Sequence, residues 1–311
     1  MSLAAQPFPL SRAAVAGRVR DYAELTKARV TTLVVLSAWC GYYFAARKAG
    51  MPAISLHLIN ALFGVGMSGG GAAALNEVME AKIDATMRRT QRRPLPTGRM
   101  SLWHGAVAGI FLTVSGALYL GYVLNPLTGW LSLLTSFLYL ALYTPLKRVH
   151  PVCTFIGAFP GAMPAVLGWT AARGRLDLEA VALFAIVFVW QFPHFFSIAW
   201  LYRDDYAAGK IRMLPVVQPD GRSTARRIVA YSILLIPVTL APVYLGMAGR
   251  IYLTGALLLG IGLLFVSWRL TSLHQPVSSP VSRERARHLL RASVIYLPIL
   301  FILMMLNPIS S

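Results

Sequence analysis

Oxygen-bearing side chains recur at helical spacing in one stretch of this 311-residue chain. Asn76, Glu80 and Asp84 lie at positions i, i+4 and i+8, so they share one face if the stretch is helical. Hard oxygen ligands of this kind suit Mg²⁺, which binds through one or two carboxylates together with substrate phosphates. Guanidinium groups bind phosphate oxygens through paired hydrogen bonds, and four arginines follow, namely Arg88, Arg89, Arg92 and Arg93. The stretch therefore predicts a site for magnesium and a diphosphate.

A second acidic stretch has a similar composition. Asp204 and Asp205 follow an apolar segment, and Lys210 and Arg212 come close behind them. If both stretches emerge on the same side of a membrane, they can hold one magnesium diphosphate between them. The alternative interpretation of each stretch is a solvated interfacial loop, whose basic residues reflect a cytoplasmic position.

The composition indicates what kind of molecule positions these residues. Hydrophobic residues make up 57% of the chain and charged residues only 13%, about half the share found in soluble domains. This excludes a soluble globular protein and a disordered one. The net charge of +18 then indicates basic loops in contact with anionic lipid rather than nucleic-acid binding. The two cysteines form no CxxC pair, so neither a disulfide framework nor a zinc site is indicated.

Nine apolar segments are long enough to cross a bilayer as helices. They cover residues 30–46, 54–75, 102–122, 127–146, 152–171, 178–200, 228–247, 251–268 and 289–306. The predicted fold is therefore all-α, a polytopic membrane bundle. Its membrane domain spans residues 30–306 and follows a cytoplasmic N-terminal tail of residues 1–29.

Basic residues are distributed unequally between the two sides of this predicted bundle. Most lie in the tail and in the loops on its side, whereas the opposite loops contain only Arg47, Lys48, Arg173, Arg175 and Arg250. The positive-inside rule therefore predicts a cytoplasmic N-terminus. We expect a multi-pass protein of a bacterial inner membrane. Because the tail is basic and poor in acids, a transit peptide and a mitochondrial inner membrane stay open as the alternative.

The position of the acidic stretches narrows the chemistry. A diphosphate at a membrane surface, in front of an apolar bundle, suggests a prenyl diphosphate. Metal and arginines would stabilise the leaving diphosphate while the allylic C–O bond ionises, and the apolar interior would exclude water. Aromatic faces stabilise an allylic cation, and the available rings are Tyr143, Trp169, Trp190 and Phe192.

Several longer motifs occur in order along the chain. They are the pattern from Asn76 to Leu95, Tyr143-Thr144-Pro145-Leu146-Lys147-Arg148, Gly157-Ala158 with Gly161-Ala162 and Pro164, Gly168-Trp169, Trp190-Gln191 with Pro193-His194-Phe195, Asp205-Tyr206 with Ala208-Gly209, and Met213-Leu214-Pro215-Val216. In these motifs the chain resembles the membrane-embedded aromatic prenyltransferases of the UbiA type, and among them the protohaem IX farnesyltransferases (haem O synthases). The resemblance covers roughly residues 20–306.

The resemblance implies nine helices around a central cavity and a magnesium-dependent enzyme. The implied reaction transfers farnesyl from farnesyl diphosphate to a vinyl group of haem B and gives haem O. The implied partners are farnesyl diphosphate, haem B, membrane lipid and a downstream haem A synthase.

The same resemblance assigns roles to individual residues. The residues that match metal ligands are Asn76, Glu80, Asp84 and Asp205. Those that match substrate-binding positions are Asn76, Arg89, Arg93, Lys147, Arg148, Trp169 and His194, and the catalytic set is Tyr143, Asp84, Lys147 and Asp205. For His194, which lies within an apolar segment, the alternative to haem contact is an ordinary helix histidine with a hydrogen-bond partner.

Two other functions are alternatives to this one. A quinone-type aromatic prenyltransferase would share the acidic stretches but not the Tyr-Thr-Pro-Leu-Lys-Arg and Gln-x-Pro-His-Phe patterns. A transporter places its functional polar residues near the bilayer midplane, whereas the acids of this chain gather at one predicted surface.

Overall fold

The computed structural model describes residues 12–271 and 277–309, and this part of the chain consists of helices and loops without a strand. The helices are α1 Arg12–Leu25, α2 Ala28–Lys48, α3 Leu56–Asp84, α4 Leu102–Leu124, α5 Pro126–Leu146, α6 Cys153–Arg173, α7 Leu178–Leu201, α8 Arg203–Ala208, α9 Leu214–Val217, α10 Arg222–Tyr244, α11 Arg250–Thr271 and α12 Pro280–Leu306. Helices α4 and α5 contain a wider turn near their C-terminal ends.

Eight of these helices are long and apolar enough to cross a membrane. Helix α2 is not among the eight, since Arg29, Arg47 and Lys48 at its ends lower its hydropathy, but it has 21 residues and packs within the same bundle. With α2, the described residues contain nine helices of 21 residues or more, the number predicted. The all-α membrane fold is therefore confirmed.

Three helices extend beyond the predicted apolar limits by six residues or more. Helix α3 continues nine residues past the limit at 75 to Asp84, and it carries the acidic face with it. Helices α10 and α12 begin at Arg222 and Pro280, before the limits at 228 and 289. Hydropathy marks where a helix meets the membrane surface, but the backbone hydrogen bonds continue until a cap or a turn residue ends them.

Side-chain caps fix where several helices begin. Ser55, Ser101 and Ser279 each accept a backbone N–H three residues ahead, at the starts of α3, α4 and α12. Asn125 does the same for α5, and Pro126 follows it at the first helical position.

Small residues allow the helices to approach closely. A Cβ at Gly168 of α6 would lie 1.8 Å from the carbonyl oxygen of Ala38 in α2, and one at Gly71 of α3 would lie 2.4 Å from the backbone nitrogen of Thr113 in α4. Backbone contact of this kind is typical of membrane bundles, where packing rather than the hydrophobic effect drives association.

The two halves of the bundle differ in their interior. Helices α10, α11 and α12 pack with α7 around a continuous apolar core that contains Leu235, Tyr252, Leu263, Leu289 and Tyr296. Helices α2, α3, α5 and α6 and the opposite face of α7 instead surround a cavity. The hollow half is where the sequence motifs converge.

Candidate active site

The cavity has a volume of about 390 Å³ and combines a charged mouth with an apolar interior. The mouth is lined by Lys27, Asn76, Glu80, Asp84, Arg89, Arg93 and Lys147. Farther along the helices the lining changes to Val34, Val65, Pro164 and Leu167. Ligand pockets are typically of this size and mostly apolar, with a few convergent polar groups.

The α3 face carries three oxygen-bearing side chains, and each of them is hydrogen-bonded to a different cation. Lys27 donates to Asn76 Oδ1 at 2.6 Å. Lys147 donates to both carboxylate oxygens of Glu80, at 2.9 and 3.2 Å. Arg93 donates to Asp84 Oδ2 at 2.7 Å. The predicted single face of Asn76, Glu80 and Asp84 is therefore present, and its charge is balanced without a ligand.

Lys27 had no predicted role, because nothing in the sequence distinguishes it from the other basic residues of the tail. It joins α1 to α2 in a left-handed conformation (φ 48°), which turns its side chain into the cavity mouth. Burial, together with the positive charges of Arg93 and Lys147, lowers the pKa of Lys27 to about 8. A buried cation that is destabilised by its neighbours favours the binding of an anion beside it.

The position of Lys27 depends on how α1 is held. Arg99, in the loop between α3 and α4, forms ion pairs with Asp21 and Glu24 of α1. Hydrogen bonds from Arg99 and Arg20 lower the pKa of Glu24 below its usual value. Part of the N-terminal tail therefore belongs to the site.

Glu77 is a second residue to which the sequence assigned no role. Its side chain is 1% exposed, and neither carboxylate oxygen has a hydrogen bond from the residues that the structure describes. The closest cation is Arg93, whose Nε lies 3.4 Å from Glu77 Oε1. Burial alone would lower the pKa of Arg93, but the carboxylates of Glu77 and Asp84 outweigh it and raise that pKa. Arg93 is thus a permanent cation between two buried acids.

Lys147 and Tyr143 form the opposite wall of the mouth. The Lys147 ammonium lies 4.5 Å from the centre of the Tyr143 ring, and that ring stacks on Tyr139 at 5.5 Å. Burial alone would lower the pKa of Lys147, but the Glu80 carboxylate outweighs it and raises that pKa. The predicted proximity of Lys147 and Tyr143 to the acidic face of α3 is therefore present.

The second acidic stretch is arranged differently. Asp204 is exposed and pairs with Arg283 of α12 at 2.5 Å. Asp205 is half-buried but does not line the cavity, whereas the next residue, Tyr206, is buried and does. Arg89 lies over the rings of Tyr202 and Tyr206, at 5.2 and 5.6 Å from their centres. In this structure the second stretch lines the cavity with the Tyr206 ring, and the metal role of Asp205 stays a prediction.

Three predicted substrate-binding residues lie away from the cavity. Arg148 is exposed next to the mouth. Trp169 is buried toward the other end of α6 and donates its indole N–H to Asp177 at 3.0 Å. His194 shares a hydrogen bond of 3.0 Å with Ser293 of α12 and stacks on Trp190. His194 thus has the hydrogen-bonded packing of the alternative interpretation.

The residues at the mouth fit a divalent metal by their chemistry. Asn76, Glu80 and Asp84 supply hard oxygen atoms that line one cavity, as Mg²⁺ requires. Within residues 12–271 and 277–309, no three carboxylate, histidine or cysteine groups come together as a ready-made metal site. The donor set is instead one amide and two carboxylates, whose lone pairs are currently taken by cations.

Comparisons with known proteins agree with this geometry. The chain is 59% identical to "Protoheme IX farnesyltransferase" of Koribacter versatilis (strain Ellin345) over 99% of both chains. It is 46% identical to the protein of the same name from Solibacter usitatus (strain Ellin6076), over 93% of this chain and 99% of that one.

Solved structures with the same fold include a digeranylgeranylglyceryl phosphate synthase, with a TM-score of 0.74 and 15% identity over 94% of this chain and 98% of that one. Another is a UbiA homolog from Archaeoglobus fulgidus bound to GPP and Mg²⁺, with a TM-score of 0.64 and 15% identity over 91% of this chain and 99% of that one. The sequence pattern described as the UbiA prenyltransferase family matches residues 34–303. This protein is accordingly a member of the UbiA prenyltransferase family.

Proposed function

We propose that this chain transfers a farnesyl group from farnesyl diphosphate to a vinyl group of haem B and so forms haem O. The observation that carries the proposal is the polarity of the cavity, whose charged mouth and apolar interior match the two ends of a prenyl diphosphate. The choice of farnesyl and haem B is supported by the relative named "Protoheme IX farnesyltransferase", which is 59% identical over 99% of both chains.

The mouth binds the diphosphate through its cations. Lys27, Arg93 and Lys147 contact Asn76, Asp84 and Glu80 in the free protein. When the diphosphate binds, these cations turn to its oxygens, and the three α3 oxygens become available to a magnesium ion. Mg²⁺ would be held by Asn76, Glu80 and Asp84, and it would offset the negative charge of the leaving diphosphate.

The apolar interior holds the prenyl chain and keeps water from it. The Tyr143 ring faces the Lys147 ammonium on one side of the mouth, so it lies beside the allylic carbons of a bound substrate. The negative face of the ring stabilises the positive charge that develops there. Tyr206 of the second stretch is buried and lines the same cavity, so in this proposal it shields the allylic carbons from water.

The acceptor then supplies the electrons. The π electrons of the vinyl group form the new C–C bond to the allylic carbon, and the resulting cation next to the pyrrole is trapped by water. The proton that water loses passes to the released diphosphate. Contact of haem B with His194, Trp169 and Arg148, and metal binding by Asp205, stay predictions.

The reaction takes place at the cytoplasmic face of a bacterial inner membrane in this proposal. Support comes from the excess of basic residues on the N-terminal side and from relatives that are bacterial. A haem A synthase is the expected consumer of the product.

The test is an assay of the purified protein in detergent with haem B, farnesyl diphosphate and Mg²⁺. Chromatography and mass spectrometry should detect haem O, and Asp84→Asn should form about 10²–10³-fold less of it. Replacement of haem B by a hydroxybenzoate ring separates the alternative: prenylation of the benzoate without any haem O would overturn the proposal in favour of a quinone-type enzyme.

A further inference from the structure

A side-chain amide lies in the wall of the cavity, beyond the charged mouth. Gln191 of α7 is 3% exposed and lines the cavity. Its amide nitrogen donates to Ala158 O at 3.0 Å and to Val187 O at 3.2 Å. Both N–H bonds are therefore used. Because both partners are carbonyl oxygens, only the NH₂ group fits between them, and this fixes the orientation of the amide.

The amide oxygen is the part of Gln191 that remains free. Among the residues described, no donor reaches Gln191 Oε1. This oxygen lies over Gly161 of α6, where a Cβ would come within 2.0 Å of it. Gly161 itself is exposed to the cavity. The lack of a side chain at Gly161 thus leaves an unpaired carbonyl oxygen at the cavity surface, where a bound ligand can contact it.

The hydroxyl groups of the same cavity behave differently. Thr135 donates to Leu131 O, and Ser136 donates to Ser132 O, each within its own helix. Ser132 donates to Ser68. These hydroxyls are satisfied by the protein, so a free and fixed acceptor distinguishes Gln191 from them.

The depth of Gln191 follows from the contacts along α6. The Tyr143 ring, which faces Lys147, contacts Gly157, where a Cβ would come within 2.5 Å of it. Gly161 is one turn farther from the mouth, about 6 Å along the helix. The order from mouth to interior is therefore the Lys147 cation, the Tyr143 ring and the Gln191 oxygen. A prenyl group attached to a diphosphate at the mouth would have its allylic carbons next to the last two.

We propose that the amide oxygen of Gln191 contacts the allylic carbons of the bound prenyl diphosphate and stabilises the positive charge that develops on them. The proposal rests on the proposed function. In this step the C–O bond breaks and its electron pair leaves with the diphosphate, while Gln191 forms no bond and transfers no proton. A fixed dipole in a water-free cavity acts strongly on such a charge because it needs no reorganisation.

The test compares Gln191→Leu with wild type in diphosphate release, with haem B and farnesyl diphosphate each varied to saturation. We expect kcat to fall about tenfold or more, with both KM values within about threefold. Thr239→Val is the control: it removes a buried hydroxyl that donates to Ile236 O within α10, outside the cavity, and should keep kcat within about twofold.

Gly161→Ala tests the same oxygen without changing Gln191. Alanine favours the helix by about 1 kcal/mol, so the variant should fold, while its methyl group displaces the amide oxygen. We expect a loss of kcat that approaches that of Gln191→Leu. If Gln191→Leu does not fold, the kcat of Gly161→Ala alone tests the role of the Gln191 oxygen.

Three results would overturn the proposal. An unchanged kcat in both variants would remove Gln191 from the reaction. A higher KM for haem B with kcat preserved would make Gln191 an acceptor-binding group. A preserved kcat with a product that lacks the hydroxyl would make it a water-binding group. If wild type itself releases no diphosphate from farnesyl diphosphate, the proposed function fails and this inference with it.

Discussion

The two acidic stretches resemble each other in sequence but differ in the folded protein. In the first, Asn76, Glu80 and Asp84 belong to the long helix α3, where the spacing of four puts all three on the cavity face. In the second, Asp204 and Asp205 belong to the short helix α8, and the cavity position is taken by Tyr206.

The difference shows that charge composition does not decide what a loop contributes. Neighbouring residues on a helix are about 100° apart, so Asp204, Asp205 and Tyr206 cannot share one face. The aromatic residue gains more from burial and faces inward, while Asp204 pairs with Arg283 at the surface. The first stretch therefore lines the cavity with three oxygen-bearing side chains, and the second lines it with an aromatic ring.

The largest expected effect is that of Asp84→Asn. Loss of the carboxylate removes a metal ligand and frees Arg93, so turnover should fall about 10²–10³-fold, as for other groups that stabilise developing charge. Asp205→Asn should also lower turnover. Because Asp205 lies outside the cavity in the free protein, higher Mg²⁺ should restore part of that turnover. Turnover is measured as haem O formed per minute. Near-normal activity of Asp84→Asn would contradict the metal assignment.

The second effect concerns neighbouring arginines of the first stretch. Arg93→Ala should lower turnover about ten- to a hundredfold, since charge-assisted contacts to phosphate are worth about 1.5–3 kcal/mol. Arg92 is exposed, and Arg92→Ala is the matched control with an expected change below about twofold. Similar losses at both positions would mean that the loop acts as a diffuse positive field.

The third effect tests the shielding by the Tyr206 ring. Tyr206→Ala should lower haem O formation about threefold to tenfold and raise farnesol formation, because water reaches the allylic cation. Tyr206→Phe retains the ring and should keep the wild-type ratio of transfer to hydrolysis. If Tyr206→Ala kept that ratio too, the second stretch would not shield the reaction.

The smallest effect belongs to Asp204. Its pair with Arg283 is exposed, and exposed ion pairs contribute little. Asp204→Asn should leave both turnover and the melting temperature, followed by circular dichroism, close to wild type. A loss comparable to that of Asp205→Asn would give the second stretch two functional acids.

The fold and one face of the site follow from the sequence because they depend on local periodicity. Apolar length predicts the spans, and the spacing of Asn76, Glu80 and Asp84 predicts a shared face. Both predictions need only the geometry of a single helix.

The rest of the site depends on how helices pack against one another. Lys27 reaches the mouth because the ion pairs of Arg99 with α1 hold that helix in place, and no periodic pattern in the sequence predicts these ion pairs. On α7, Gln191 and Phe195 face the cavity while His194 turns to Ser293. The rotation of α7 about its axis decides this, and hydropathy does not resolve it in a helix that is apolar all round.

In this proposal the α3 face binds the magnesium diphosphate. The most direct measurement is calorimetric binding of an unreactive thio-analogue of farnesyl diphosphate, with and without Mg²⁺, to wild type, Asp84→Asn and Asp204→Asn. We predict Mg²⁺-dependent binding that is lost in Asp84→Asn and kept in Asp204→Asn. Wild-type binding by Asp84→Asn, or its loss in Asp204→Asn, would contradict the account.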